Sequence, residues 1–191
     1  ARLGEIQVAG MSFRRRSLLA GACAKIQNWR LRKDRQHFHP KPTKRHKMID
    51  LHSHILPALD DGSPNMAASI DMAANYVANG FHHVVATPHV LPENIGAQWA
   101  SFLKARVAKV NKALRAASIP LTVSPGMEIA IAPELPEFLE AGLLLPLADS
   151  RYVLIETPFE RLPTYWEQIL FEVAARGYRV LLAHPERCIQ L

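Results

Sequence analysis

The chain has 191 residues, enough for one ordinary domain with a real core. Its 49% hydrophobic and 21% charged content is that of a globular protein, and no apolar run approaches the ~18–20 residues that a bilayer crossing needs. The net charge of +6 hides two unlike parts. Residues 1–47 carry 13 Lys/Arg against Glu5 and Asp34, whereas residues 48–191 carry 10 Lys/Arg against 15 Asp/Glu, so the basic character belongs to the first segment. Cys23 and Cys188 are the only cysteines, which excludes a disulfide framework and fits a reducing cytoplasm.

The first segment shows no fold-forming periodicity and reads as a disordered basic arm, or as sequence preceding a true start at Met48. Arg14-Arg15-Arg16 before Ser17–Ala24 has the outline of a twin-arginine signal. Its apolar part is short, however, and Lys25 follows at once, which argues against export. The run from Arg30 to Lys47 offers only non-specific charge to nucleic acid or acidic lipid. His37, His39 and His46 lie in a polar, Pro-containing stretch and read as solvated.

From Met48 the elements alternate regularly. Ile49–His52 reads as a buried strand. A helix follows, capped by Ser63 with Pro64 at its first position, carrying Met66, Ile70, Ala73, Ala74 and Val77, and closed by Gly80. Phe81–Thr87 is a second strand, with His89 in the loop after it. Trp99–Ala117 is an amphipathic helix with Phe102, Val107, Val110 and Leu114 near one face. Leu121–Met127, Tyr152–Glu156 and Tyr178–Ala183 are further strands. A short helix over Pro133–Ala141 and a helix from Thr164 to Gly177, with Thr164 and Glu167 as a capping box, separate them.

Strand and helix in alternation, one unit per ~30–35 residues, means an α/β protein with parallel strands. An open doubly wound sheet and a barrel both fit. The polar residues favour the barrel, because they fall at or just after the C-terminal ends of the strands, where barrels converge their catalytic groups. About five βα units are present, too few to close one.

Those strand ends carry the chemistry. His52 and His54 follow a buried strand with one residue between them, which suits a divalent metal. In Asp60-Asp61-Gly62 one acid is a candidate ligand, Asp61 the chosen one, although the sequence also reads as a turn. His89 follows Thr87-Pro88. Glu128 is flanked by apolar residues, where a lone carboxylate is costly and a metal resolves the cost. Glu156 is similar, with a structural salt bridge as the rival reading. His184 opens His184-Pro185-Glu186-Arg187, whose arginine could hold an oxyanion or simply pair with Glu186. His82 and His83 lie on opposite faces of a strand and read as structural. Histidines and carboxylates without a thiolate suit Mn²⁺, Fe²⁺ or Zn²⁺ in a site of more than one ion. There is no glycine-rich phosphate loop, no G-x-S-x-G elbow and no Cys-x5-Arg loop.

Met48–Pro57, Asp60-Asp61-Gly62, Ala86–His89, Gly126–Ile129, Ser150–Glu156 and Ala183–Arg187, in this order, resemble the polymerase-and-histidinol-phosphatase (PHP) superfamily. They are most similar to its CpsB-type branch, the manganese-dependent protein-tyrosine phosphatases of bacterial capsule and exopolysaccharide operons. The resemblance begins at Met48 and implies a distorted (β/α)7 barrel, of which residues 48–191 would form the N-terminal portion. It implies a cytoplasmic enzyme with several Mn²⁺ ions that hydrolyses phosphotyrosine on a tyrosine kinase of polysaccharide export. By the same likeness His52, His54 and Glu128 would hold one ion, Glu128 and His184 would share a second, and Asp61 and His89 would serve a third. Arg187 and Glu156 would sit at the phosphate. The family continues beyond the last matched motif with further ligands, so an inactive, truncated remnant is a competing expectation. A PHP phosphoesterase acting on a small phosphate ester is another. No specific nucleic acid and no membrane span are expected.

Overall fold

The computed structural model describes residues 48–91 and 95–190. The basic segment, with its arginine run, three histidines and Cys23, lies outside the described residues. In chain order the elements are β1 (Met48–Ser53), α1 (Met66–Ala78), β2 (Phe81–Ala86), β3 (His89–Val90), α2 (Trp99–Ala116) and β4 (Thr122–Pro125). They continue with β5 (Glu128–Ala130), α3 (Leu135–Glu140), β6 (Tyr152–Glu156), α4 (Trp166–Ala175) and β7 (Arg179–Ala183). Short 3-10 turns stand at Leu147–Asp149 and Pro185–Arg187.

Every strand pair is parallel, in the orders β1-β2-β4 and β3-β5-β6-β7. This is the α/β class that the alternation of elements implies. Only Thr87-Pro88 separates β2 from β3, and only Gly126-Met127 separates β4 from β5. The sequence suggests that these strands end at Thr87 and Met127; after a break at each place a further short strand begins instead. Pro88 has no N–H to give to a ladder, while its carbonyl accepts from Glu128 N at 3.1 Å. At Gly126 an added Cβ would lie 2.7 Å from Val85 Cγ1 and 2.9 Å from Leu147 Cδ2, so the backbone passes where a side chain would not fit. The breaks move His89 out of the expected loop and onto β3, directly opposite Glu128 on β5.

β6 shows why its apolar run is nearly continuous: it is buried on both faces. Val153 and Ile155 join the larger core with Leu103, Val110, Leu114, Met127 and Ile129. Leu154 instead packs with Val85, Leu147, Leu181 and Ala183. Each fully buried Leu, Ile or Val contributes on the order of 1.5–3 kcal/mol, before the entropy of ordering it.

The helix starts differ in detail from the sequence reading. Asn65, not Ser63, caps α1: its backbone is extended and its side chain accepts from Ala68 N at 3.0 Å. Ser63 is occupied elsewhere, its hydroxyl within 2.8 Å of both Asn65 O and Ser69 Oγ. Thr164 does not cap α4, which begins two residues later with no side-chain cap. Leu103 takes the buried place on α2 expected for Phe102. Phe102 lies outside, edge-on to Trp99 and beneath the Arg106 guanidinium. Among the described residues no helix is long and apolar enough to cross a membrane, and Cys188 is a buried free thiol.

Candidate metal centre

An irregularity in β1 prepares the site. Register runs from Asp50 opposite Val84 to Ser53 opposite Ala86, three residues against two, the signature of a bulge. Asp50 and Ser53 consequently share one partner. Tyr76 Oη on α1 donates to Asp50 Oδ2 at 2.6 Å and accepts from Ser53 Oγ at 3.0 Å. Burial, followed by the bond to Asp50, pushes the Tyr76 hydroxyl up to about 12, so it remains a donor. Thr87 pins the strand end: its Oγ1 accepts from Ser53 N at 3.0 Å and its N–H donates to Ser53 O at 2.9 Å. His52 and His54 then come together with their Nε2 atoms 3.2 Å apart.

Glu128 is the centre of the cluster. It opens β5 and is 0% exposed. Its Oε1 lies 2.9 Å from His184 Nε2. Its Oε2 lies 3.0 Å from His52 Nε2, 3.2 Å from His54 Nε2 and 3.2 Å from His89 Nδ1, yet no hydrogen bond is aligned on it. Glu156, at the end of β6, adds Oε2 at 3.2 Å from His89 Nδ1 and Oε1 at 3.6 Å from His184 Nε2. His184 itself is left-handed, at φ 30°, a conformation that costs a non-glycine residue on the order of 1–3 kcal/mol and is common at functional sites.

Electrostatics follow from this crowding. Burial works against the charged form of Glu128, but His52 and His54, then the charges of His52 and His89, outweigh it and hold the carboxyl well below the usual carboxylate range. For His54 the bond with Asp60 comes first and Glu128 second; together they push the imidazole up to about 10 despite its burial. Burial opposes the Asp60 carboxylate too, but His54, Gly62 N and His89 N draw it below its ordinary value.

A buried carboxylate oxygen ringed by three imidazole nitrogens, none of them hydrogen-bonded to it, is costly unless a cation stands among the ligand atoms. The donor set fits a divalent metal of hard to borderline character. Three groups of side chains bring ligand atoms within 4.8 Å of one another: His52, His54 and Glu128; His54, Asp61 and His89; His89, Glu128 and Glu156. Glu128 and His89 each belong to two of them, and so does His54.

The chain thus brings together His52, His54, Asp61, His89, Glu128, Glu156 and His184. Glu156 stands among the ligand atoms, in one group with His89 and Glu128. Asp61 is at the rim, 80% exposed in its side chain, 3.7 Å from His54 Nδ1 and 3.6 Å from His89 Nε2. Its neighbour Asp60 makes the tighter contact, Oδ2 to His54 Nδ1 at 2.7 Å, and sequence reasoning passed over it in favour of Asp61. Arg187 pairs with no carboxylate among the described residues; its guanidinium lies over the Phe159 ring, 4.2 Å from the centroid. Nothing in the sequence singles out Phe159. His83 Nε2 is 2.8 Å from Ser124 Oγ, away from the cluster, as a structural histidine would be.

Known proteins share this arrangement of sequence. The chain is 44% identical over 142 residues to the tyrosine-protein phosphatase YwqE of Bacillus subtilis, covering 73% of this chain and 55% of that protein. It is 31% identical over 149 residues to the tyrosine-protein phosphatase CpsB of Streptococcus pneumoniae, covering 73% and 57%. It therefore spans a little over half the length of the curated relatives it matches. A crystal structure from work on YwqE and CpsB, described as unique metal-dependent tyrosine phosphatases, superposes with a TM-score of 0.71 at 40% identity, covering 75% of this chain and 57% of that one. The sequence model of the capsular polysaccharide synthesis family CpsB/CapC matches residues 48–191. On that match and these identities, the chain belongs to the CpsB/CapC family.

Proposed function

We propose that this chain acts as a metal-dependent phosphatase on phosphotyrosine in proteins and so regulates capsular or exopolysaccharide synthesis. One observation carries the reading: the buried Glu128 carboxylate, met by four imidazoles from the ends of three strands. The names of its relatives support the substrate class. The protein substrate we infer is a cytoplasmic tyrosine kinase of polysaccharide export. Residues 48–191 would be the N-terminal portion of a PHP-type domain. Parallel strands in the orders β1-β2-β4 and β3-β5-β6-β7, with only two residues between β2 and β3 and between β4 and β5, suit part of a distorted seven-stranded barrel.

We assign several Mn²⁺ ions to the site. His52, His54 and Glu128 would hold one, Glu128 with His184 and Glu156 a second, and Asp61 with His89 a third. When bound, such ions supply positive charge and Lewis acidity at a phosphoryl group. The chain's own residues do the rest. Asp60 fixes His54 so that Nε2 faces the cluster. The burial of Glu128 keeps bulk water from competing for its oxygens. Arg187, paired with no carboxylate among the described residues, would present a planar fork of donors to the non-bridging phosphate oxygens.

The test is manganese-dependent release of phosphate from a phosphotyrosine peptide by the full chain. His52→Ala should abolish it. Folded protein that releases no phosphate with manganese, iron or zinc would contradict the proposal.

A further inference from the structure

Phe159 has no place in the core. It lies in the connection between β6 and α4 and is 47% exposed. Yet both of its recorded ring contacts are with residues of the turn after β7: the Arg187 guanidinium at 4.2 Å and the His184 ring at 6.0 Å between centroids. The backbone keeps it there. Ile189 N donates to Phe159 O at 3.0 Å, and Leu162 N donates to the Gln190 side chain at 2.6 Å. Two loops that follow neighbouring strands are thus strapped together beside Glu156 and His184.

The chemistry of the contact is selective. A carboxylate beside Arg187 would hold the cation equally well, but would neutralise it and occupy its N–H groups. An aromatic face attracts the guanidinium through its quadrupole and leaves the in-plane donors free. Glu186, adjacent in sequence, makes no ion pair with Arg187 among the described residues.

We propose that Phe159 is a positioning residue: its ring holds the Arg187 guanidinium beside the metal cluster with its donors open to an oxyanion, the phosphate group of the substrate. This rests on the phosphatase reading and adds to it a residue that acts only through Arg187.

Inorganic phosphate is the probe. Its binding to the manganese-loaded full chain is measured by calorimetry for the wild type, Phe159→Leu, Phe159→Tyr, Arg187→Ala and the Phe159→Leu/Arg187→Ala double variant. Phe159→Leu should weaken phosphate binding roughly fivefold, the scale of a partly exposed cation–π contact, with manganese stoichiometry unchanged. Phe159→Tyr, which keeps the ring, should bind phosphate as the wild type does. In the Arg187→Ala background, Phe159→Leu should have no further effect. Equal affinity in wild type and Phe159→Leu overturns the proposal. So does an equal loss in both backgrounds, or a wild-type chain that binds no phosphate. Turnover of a phosphotyrosine peptide by the same samples tests the phosphatase reading separately.

Discussion

Asp60 Oδ2 stands 2.7 Å from His54 Nδ1, and the other Asp60 oxygen accepts from Gly62 N at 3.0 Å. The carboxylate therefore reads one nitrogen of His54 and leaves the other, Nε2, turned toward Glu128. This is the outer-shell arrangement that fixes the tautomer and ring orientation of a metal-ligating histidine. Asp60→Asn keeps the shape and removes the charge. It should lower manganese affinity by about 10–100-fold with little change in fold, read by calorimetric titration of the metal.

The same pair sets a pH dependence. In the metal-free chain His54 is pushed up to about 10 from 6.5, first by Asp60. The protonated ring therefore stabilises the metal-free fold fully below about pH 6.5, and that contribution is lost as pH rises through about 10. A metal needs the neutral ring, so it competes with this proton. Apparent manganese affinity should climb about tenfold per pH unit near neutrality, less any change from other ligands. In Asp60→Asn the slope should flatten above the ordinary histidine range. A wild-type affinity independent of pH between 6.5 and 8.5 would contradict the argument.

Gly62 closes the turn against His54. A Cβ there would overlap the carbonyl oxygen and Cβ of His54. Gly62→Ala must push the turn away from the strand end, and overpacking of this kind costs about 1–3 kcal/mol. The expected result is a lower urea midpoint together with weaker manganese binding. An unchanged midpoint and unchanged binding would show that the turn gives way freely.

Glu128 was legible in the sequence because a buried carboxylate is costly and conspicuous, whereas β1, expected as a buried strand, leaves Ile49 52% and Leu51 42% exposed. His52, His54, Glu128, Glu156 and His184 could each be singled out by an apolar run ending in a metal-binding side chain. β6 was readable to the residue, since a strand buried on both faces leaves a continuous apolar run. What escaped depended on neighbours distant in sequence. His89 looked like a loop residue because Pro88 ends a strand, and only its pairing with Glu128 shows that another begins. Asp60 and Asp61 are alike in sequence, and the close contact with His54 appears only once the turn folds back. The caps at Ser63 and Thr164 were expected from local preference, but the Ser63 hydroxyl is taken by Ser69 and Asn65. Phe159 left no trace, since an aromatic residue in a connection carries no periodic signal.

The central claim is that Glu128 is shared between ions, so that one buried carboxylate organises more than one metal. Metal content of the manganese-loaded chain, measured by mass spectrometry on wild type and on Glu128→Ala, tests it most directly. The account predicts more than one tightly held ion per wild-type chain, and loss of more than one on removing this single side chain. A wild-type chain holding one ion or none, or a Glu128→Ala chain that keeps the wild-type number, would contradict it.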